Sequence, residues 1–490
     1  MRMTKVLAFF MTIVMVFCCI PIISVAEAAS ETFKDMPQEG HWSAAALKTA
    51  VNNNLLNGFK EADGTYIKPD APLTRAQMAA IVNRAFGAQK KAPLIGVKDV
   101  DADAWYAEDL QKAVYMGTMK LDTYMRPDDS ITRQEAFTVL ARAFKMTDGT
   151  LDDLSAFADK DQVADWAVPG VGALVRNGYV KGSDNLLAPK ANITRAQFAV
   201  VMDNMIKQYI TQAGTVTSVA SGNVMVNVPD VTLKDVTVSG DLIIGDGVGD
   251  GDVTLENVMI KGNLVVRGGG ENSVIIKGGG VEGKVVVAKV DGRIRVSVEE
   301  GADIEVVVIN DGKDDVIIEG TIGTVEVAAP EVPVVVQNGT VGKIEVTGEG
   351  GASITVARDA AVNDVVVGSN ASGTTLNVEG RVAKVETSAV STIVSGTGTV
   401  NTVTVKEGAD NTAVTTPSTK VNNEGASGVT AGGGAEVPPN SSATNDDKGA
   451  GVVTKPPSSG GGSGGSGGSG SVAVSAISVE GVAKVGETLT

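Results

Sequence analysis

Three arginines stand where a helix least favours a cation. Arg75, Arg133 and Arg195 each follow a threonine at the start of an apolar-periodic stretch: "LTRAQMAAIVNRAF" (Leu73–Phe86), "ITRQEAFTVLARAF" (Ile131–Phe144) and "ITRAQFAVVMDNMI" (Ile193–Ile206). A helix N-terminus carries partial positive charge, so a cation in its first turn is electrostatically unwelcome. One such residue reads as a good helix former pointing into water. Three in the same place read as anion chemistry, because helix-terminal N–H groups and a planar guanidinium together suit a carboxylate or phosphate.

The elements that must position these arginines have a clear grammar. Thr74, Thr132 and Thr194 fall at the N-cap, and Gln77, Glu135 and Gln197 three residues on complete a capping box. Apolar residues at helical spacing, such as Phe198, Val201, Met202 and Met205, bury one face. The motif closes a unit of about 60 residues that occurs three times. Each unit opens with an aspartate (Asp35, Asp99, Asp159) and continues with a tryptophan (Trp42, Trp105, Trp166) and a helical stretch. A turn with a proline (Pro69, Pro127, Pro189) then leads to the Thr-Arg motif. The tryptophans either line grooves or fill cores, and a buried aromatic is the commoner role. The aspartates are expected to cap the first helix of each unit or to touch ligand, with capping the simpler role.

On these motifs the three units, over about residues 31–210, resemble S-layer homology (SLH) domains. The resemblance implies a mostly α-helical pseudo-trimer whose grooves bind a secondary cell-wall polysaccharide bearing pyruvate ketals, which are carboxylates on sugar. It makes Arg75, Arg133 and Arg195 the main ligand residues, with Trp42, Trp105, Trp166, Asp35, Asp99 and Asp159 as further polysaccharide-binding candidates. The second unit departs from the pattern. Its turn, "GTMKLDTYMRP", is shorter and lacks the later glycine, and its motif is Thr-Arg-Gln-Glu, so its groove is expected to be distorted or weak.

From Val224 to Thr416 the rhythm changes to Val/Ile-rich strands separated by Gly, Asn and Asp, with a period of about 20 residues. "VTLKDVTVSGDLIIGDG" and "VTLENVMIKGNLVVRGG" share one order, ending in a Gly and an apolar triplet. This reads as an all-β, right-handed-type β-solenoid (a parallel β-helix) of about nine or ten coils, roughly 45 Å long, in preference to a Greek-key sandwich. Some solenoids cleave polysaccharides, but this stretch has no aromatic residue and no His, and its carboxylates are scattered. No catalytic residue is assigned, and the chain is read as not an enzyme. Asp246, Asp250 and Asp252 in "GDGVGDGDV" form an oxygen-rich cluster that suits Ca²⁺, although the spacing matches no EF-hand and a solenoid corner explains it as well. No other metal or cofactor is expected.

The formal charge of −17 argues against a nucleic-acid partner. Arg2, Lys5, an apolar run to Val25 and the Ala26-Glu27-Ala28 site read as a signal peptide over 1–28, so no membrane insertion is expected after cleavage. Cys18 and Cys19 fall inside it, which leaves a mature chain without disulfides. The expected domains are SLH repeats at 31–90, 91–150 and 151–210, a β-solenoid at 222–418, a disordered Gly/Ser-rich linker at 422–474, and the start of a truncated immunoglobulin-like domain at 475–490. The whole reads as a secreted protein of the cell wall and surface, held non-covalently to the wall, with the solenoid as stalk or lattice element and with possible self-assembly. The alternative is a wall-tethered glycoside hydrolase whose catalytic domain lies beyond residue 490. End-to-end growth of the solenoid would require uncapped terminal coils.

Overall fold

Each Thr-Arg motif opens a helix as its capping box requires. The Thr74, Thr132 and Thr194 hydroxyls accept the backbone N–H of Gln77, Glu135 and Gln197, whose side chains accept the threonine N–H in return. The helices so started are α2 (Arg75–Phe86), α4 (Arg133–Ala143) and α6 (Arg195–Met205). The shorter first helices of the repeats are α1 (Ala44–Asn52), α3 (Ala107–Tyr115) and α5 (Val168–Arg176). The computed structural model describes residues 33–453. The expected signal peptide with its two cysteines and the segments after 453 lie outside the described residues.

The repeats close on one another in a ring. α3 packs on α2, α5 on α4, and α1 returns to α6. At the ring's axis Ile131 N–H donates to Leu73 C=O (2.9 Å), Ile193 N–H to Ile131 C=O (3.0 Å), and Leu73 N–H to Ile193 C=O (2.9 Å). Phe86, Phe137 and Phe198 are fully buried in the helical core. The helical pseudo-trimer expected from the repeats is therefore present.

α6 ends at Met205 and the first strand of the solenoid begins at Gln208. Parallel pairings then run in register from Val224 to Leu242, Leu264, Val285 and Val307, and on through Val325, Ile344, Val365, Val385 and Val403 to Val421. With the Gln208 strand, eleven successive pairings make twelve rungs on this flank, roughly 50 Å of stack at strand spacing. Val and Ile fill the interior, and threonines turn its corners: Thr374, Thr392 and Thr412 hydroxyls donate to the carbonyls of Ala371, Ala389 and Ala409 at 2.7, 3.1 and 2.8 Å.

Two expected boundaries are corrected. The solenoid starts at Gln208 rather than 222, and folded chain continues past 418 into the expected linker. Lys420–Asn423 pairs antiparallel with Ser441–Thr444, and Thr430–Ala431 with Ala435–Glu436. These returning strands pair with the last coil, so that coil is not left uncapped as end-to-end growth would require. Within the described part of that segment, 422–453, Gly, Asn and Pro residues that read as a linker lie between these strands, and the Gly/Ser run at 460–471 is outside the described residues.

The solenoid docks by its flank, under the ring. Met225, Ile243 and Val265 are the central residues of three successive rungs and point outward, yet they are buried in the helical core. That explains the apolar triplets, since a strand covered on both faces loses its polar alternation. The same column becomes Glu326 and Glu345 farther along. The helices end on this flank with their free carbonyls facing it, and solenoid side chains satisfy them. Asn227 donates to Ala85 C=O of α2, Arg267 to Ala143 C=O of α4 (3.3 Å), and Asn223 to Met205 C=O of α6 (2.8 Å).

Candidate functional site

The backbone at the start of α2, α4 and α6 is not available to an anion, contrary to the sequence reading. Arg75, Arg133 and Arg195 N–H donate to Asp129, Ala191 and Ala71 C=O at 3.0, 2.8 and 3.0 Å. The next N–H groups, of Ala76, Gln134 and Ala196, donate to the Pro127, Pro189 and Pro69 carbonyls. Each helix start thus grips the proline turn of the following repeat, which gives that proline its place in the motif.

The arginine side chains lie in the same junctions. Each Nε donates to a carbonyl of the following repeat: Arg75 to Met125 (2.9 Å), Arg133 to Leu187 (2.8 Å) and Arg195 to Ile67 (2.7 Å). Their outer nitrogens differ. Arg75 forms an ion pair with Glu135 at 3.2 Å. Arg133 meets the neutral Gln197 at 3.4 Å and stacks over Phe137. Arg195 donates to Asn57 C=O, lies over Phe59 and is 3% exposed. Burial lowers all three guanidinium pKa values, that of Arg195 to about 10.

Arg133 opens onto a cleft of about 660 Å³. Its walls come from all three repeats: Trp42 from the first, Arg133 from the second, and the Tyr179–Asn192 turn with Gln197 and Asn204 from the third. Because each arginine serves the turn of the following repeat, the irregular second turn faces Arg75, not Arg133. The irregularity expected for the second unit's groove therefore falls at the Arg75 junction, where Glu135 also pairs with the cation.

Trp42, Trp105 and Trp166 are 58%, 60% and 55% exposed, so the core role is overturned. They stand just before α1, α3 and α5, and Trp42 reaches the cleft. The aspartates do not cap those helices. Asp35 accepts from Ile67 and Lys68 N–H, Asp99 from Met125 and Arg126, and Asp159 from Leu187 and Ala188, all at 2.7–2.8 Å. Each carboxylate clamps the turn whose carbonyl its neighbour's arginine uses, so it shapes the junction from behind.

In the Gly-Asp corner, Asp246 pairs with the buried Arg267 (2.7 Å) and Asp250 with Lys289 (2.7 Å). Gly247 of that corner packs so closely under α2 that a Cβ on Gly87, the left-handed residue closing the helix, would lie 2.7 Å from its Cα. The corner is a docking element. Among the described residues no group of three or more His, Cys, Asp or Glu is placed to hold a metal, and no helix is long and apolar enough to cross a membrane.

A helical ring of three repeats with a cleft at the Arg133 junction, joined to a parallel β-solenoid, is a repeat-built architecture. The chain carries three S-layer homology repeats, matching the S-layer homology domain over residues 32–79, 98–137 and 156–199. Such repeats are characteristic of secreted cell-surface components, and the expected surface location follows from them. The chain is 33% identical over 192 residues to a surface-layer 125 kDa protein of Lysinibacillus sphaericus. It is 28% identical over 183 residues to an amylopullulanase of Thermoanaerobacterium thermosulfurigenes and over 194 residues to a cellulosome-anchoring protein of Acetivibrio thermocellus. These matches take in 38%, 36% and 37% of this chain, but only 16%, 10% and 40% of the relatives.

Residues that sequence reading passed over are Tyr179 in the cleft and Asn223, Asn227 and Arg267 at the docking face. The repeated Gly-Asn or Gly-Asp before an apolar triplet, at 222–223, 240–241 and 262–263, was the available signal.

Proposed function

We propose that this protein is an exported surface component anchored non-covalently to a secondary cell-wall polysaccharide carrying pyruvate ketals. The observation that carries the reading is the Arg133 cleft, where a guanidinium that forms no salt bridge among the described residues lies with an exposed tryptophan in one concave site. A ketal carboxylate suits the first and a sugar face the second. In this reading the solenoid is structural rather than catalytic, and it serves as a lattice or stalk element. The relatives named for a surface layer and for anchoring favour it.

The alternative shares the anchor and differs in cargo. The relative named amylopullulanase favours a wall-tethered hydrolase, with catalysis outside residues 33–453. Sugar release by the wall-bound full-length product separates the two. The anchoring test is co-sedimentation of the full chain with native sacculi and with sacculi stripped of secondary polysaccharide. Wild type is expected to pellet only with native sacculi and Arg133→Ala to remain in solution. Equal pelleting by a folded Arg133→Ala variant would remove the cleft from the mechanism.

A further inference from the structure

One side chain of the solenoid reaches the wall of the Arg133 cleft. Asn223, at the start of the second rung, is buried, and its side-chain amide makes three hydrogen bonds. Its Nδ2 donates to Tyr179 Oη (2.7 Å) and to Met205 C=O (2.8 Å), and its Oδ1 accepts Asp241 N–H (2.8 Å). Tyr179 lines the cleft, and its own carbonyl accepts from Asn204 Nδ2 (3.1 Å), another lining residue. The tyrosine is therefore held at one end by α6 and at the other by the solenoid.

Asn223 is itself fixed by a column of side chains. Asp241 Oδ1 accepts Asn263 N–H (2.7 Å), and Asn263 Oδ1 accepts Lys284 N–H (2.9 Å). Glycines precede each member, and a Cβ on Gly240 would stand 2.1 Å from Asn223 Oδ1. The column holds Asn223 with its amide directed at Tyr179 Oη and the end of α6.

We propose that Asn223 is a positioning residue for the Arg133 cleft: acting through Tyr179 and the end of α6, the first solenoid rungs set the cleft's wall, so the polysaccharide-binding element is the three repeats plus the solenoid flank. This inference rests on the reading of that cleft as the polysaccharide site. A site whose aromatic wall is locked by a supporting hydrogen bond holds its ligand better than one whose wall rotates. Loss of one neutral orienting hydrogen bond weakens binding by about five-fold.

The test titrates native sacculi against the full chain. Wild type is compared with Asn223→Ala, Tyr179→Phe, the double variant, Asn227→Ala and Arg133→Ala, with a thermal melt of each. Asn223→Ala and Tyr179→Phe are each expected to weaken binding about five-fold, with no further loss in the double variant, because both remove the same contact. Asn227 makes an equivalent docking bond to α2 away from the cleft, so Asn227→Ala is expected to bind within about two-fold of wild type.

Three results would overturn the inference: wild-type binding by Asn223→Ala, multiplied losses in the double variant, or an equal loss in Asn227→Ala, which would mean general loosening. If Asn223→Ala does not fold, Tyr179→Phe, which removes one oxygen, decides alone. Full binding by Arg133→Ala would instead sink the cleft reading, and this inference with it. Loss in Arg133→Ala with none in Tyr179→Phe or Asn223→Ala sinks only the positioning role.

Discussion

Between residues 33 and 205 each repeat is finished by its neighbour around a ring, whereas between 208 and 444 each coil is finished by the coils above and below it. In the ring, Arg75, Arg133 and Arg195 each serve the turn of the following repeat, and Asp35, Asp99 and Asp159 hold those turns from behind. The ring has no free end, and its Arg133 junction opens as a cleft. The solenoid is a translation and must be stopped, which the antiparallel strands at 435–444 do. The difference teaches where binding can arise. Rotation brings unlike parts of three repeats to one cleft, while translation sets like beside like and yields ladders of pairs between successive coils such as Lys277–Glu299 and Arg295–Glu319.

The largest expected effect breaks the join between the two regions. Arg267 is fully buried, pairs with Asp246 and closes carbonyls of Met116 and Ala143. Arg267→Ala leaves Asp246 uncompensated and should cost about 3–5 kcal/mol by chemical denaturation. Retention of wild-type stability would mean that the regions are joined only through the apolar flank.

Core truncations come next. Phe137→Ala in the ring and Ile344→Ala in the solenoid should each cost about 3–4 kcal/mol. Their hydrogen-exchange patterns should differ: faster exchange in all three repeats for Phe137→Ala, but only in coils near 344 for Ile344→Ala. Spread through the solenoid in the second case would erase the distinction between closed and stacked repetition. Thr194→Ala removes one capping box and should cost about 1 kcal/mol in a thermal or chemical melt.

The smallest effect lies in the glycine-led column. Burial raises the Asp241 carboxyl above its ordinary value of 3.8, against the opposing bonds from Asn263. The folded state therefore keeps a proton that the unfolded state releases. That contribution is full below pH 3.8 and declines as the pH rises through the elevated value. Asp241→Asn, matching Asn223 and Asn263, should flatten this dependence and change stability near neutrality by less than about 1 kcal/mol. A stability–pH curve for the variant that still declines across this window would exclude Asp241 as its source.

Much of this was legible in the sequence because the signals are local. Capping boxes sit within four residues, and strand alternation within one coil. What escaped depends on neighbours distant in the chain. Nothing near Arg75 announces that its Nε will meet Met125, or that its helix N–H groups are already taken. The tryptophans followed the usual rule for aromatics until three exposed copies overturned it. Triplets such as Leu242-Ile243-Ile244 carried evidence of two-sided burial, but only the docked helices show what lies on the second side. The cap after 422 was hidden because turn residues and linker residues share a composition.

The handover from α6 to the first rung takes only Ile206 and Lys207, and the flank is fastened to the ends of three helices. A pull on the far coils therefore reaches the ring as torque on a braced lever, not as tension in a string. Shear at the wall would be shared among Asn223, Asn227 and Arg267, and the rod would transmit its tilt to the anchor.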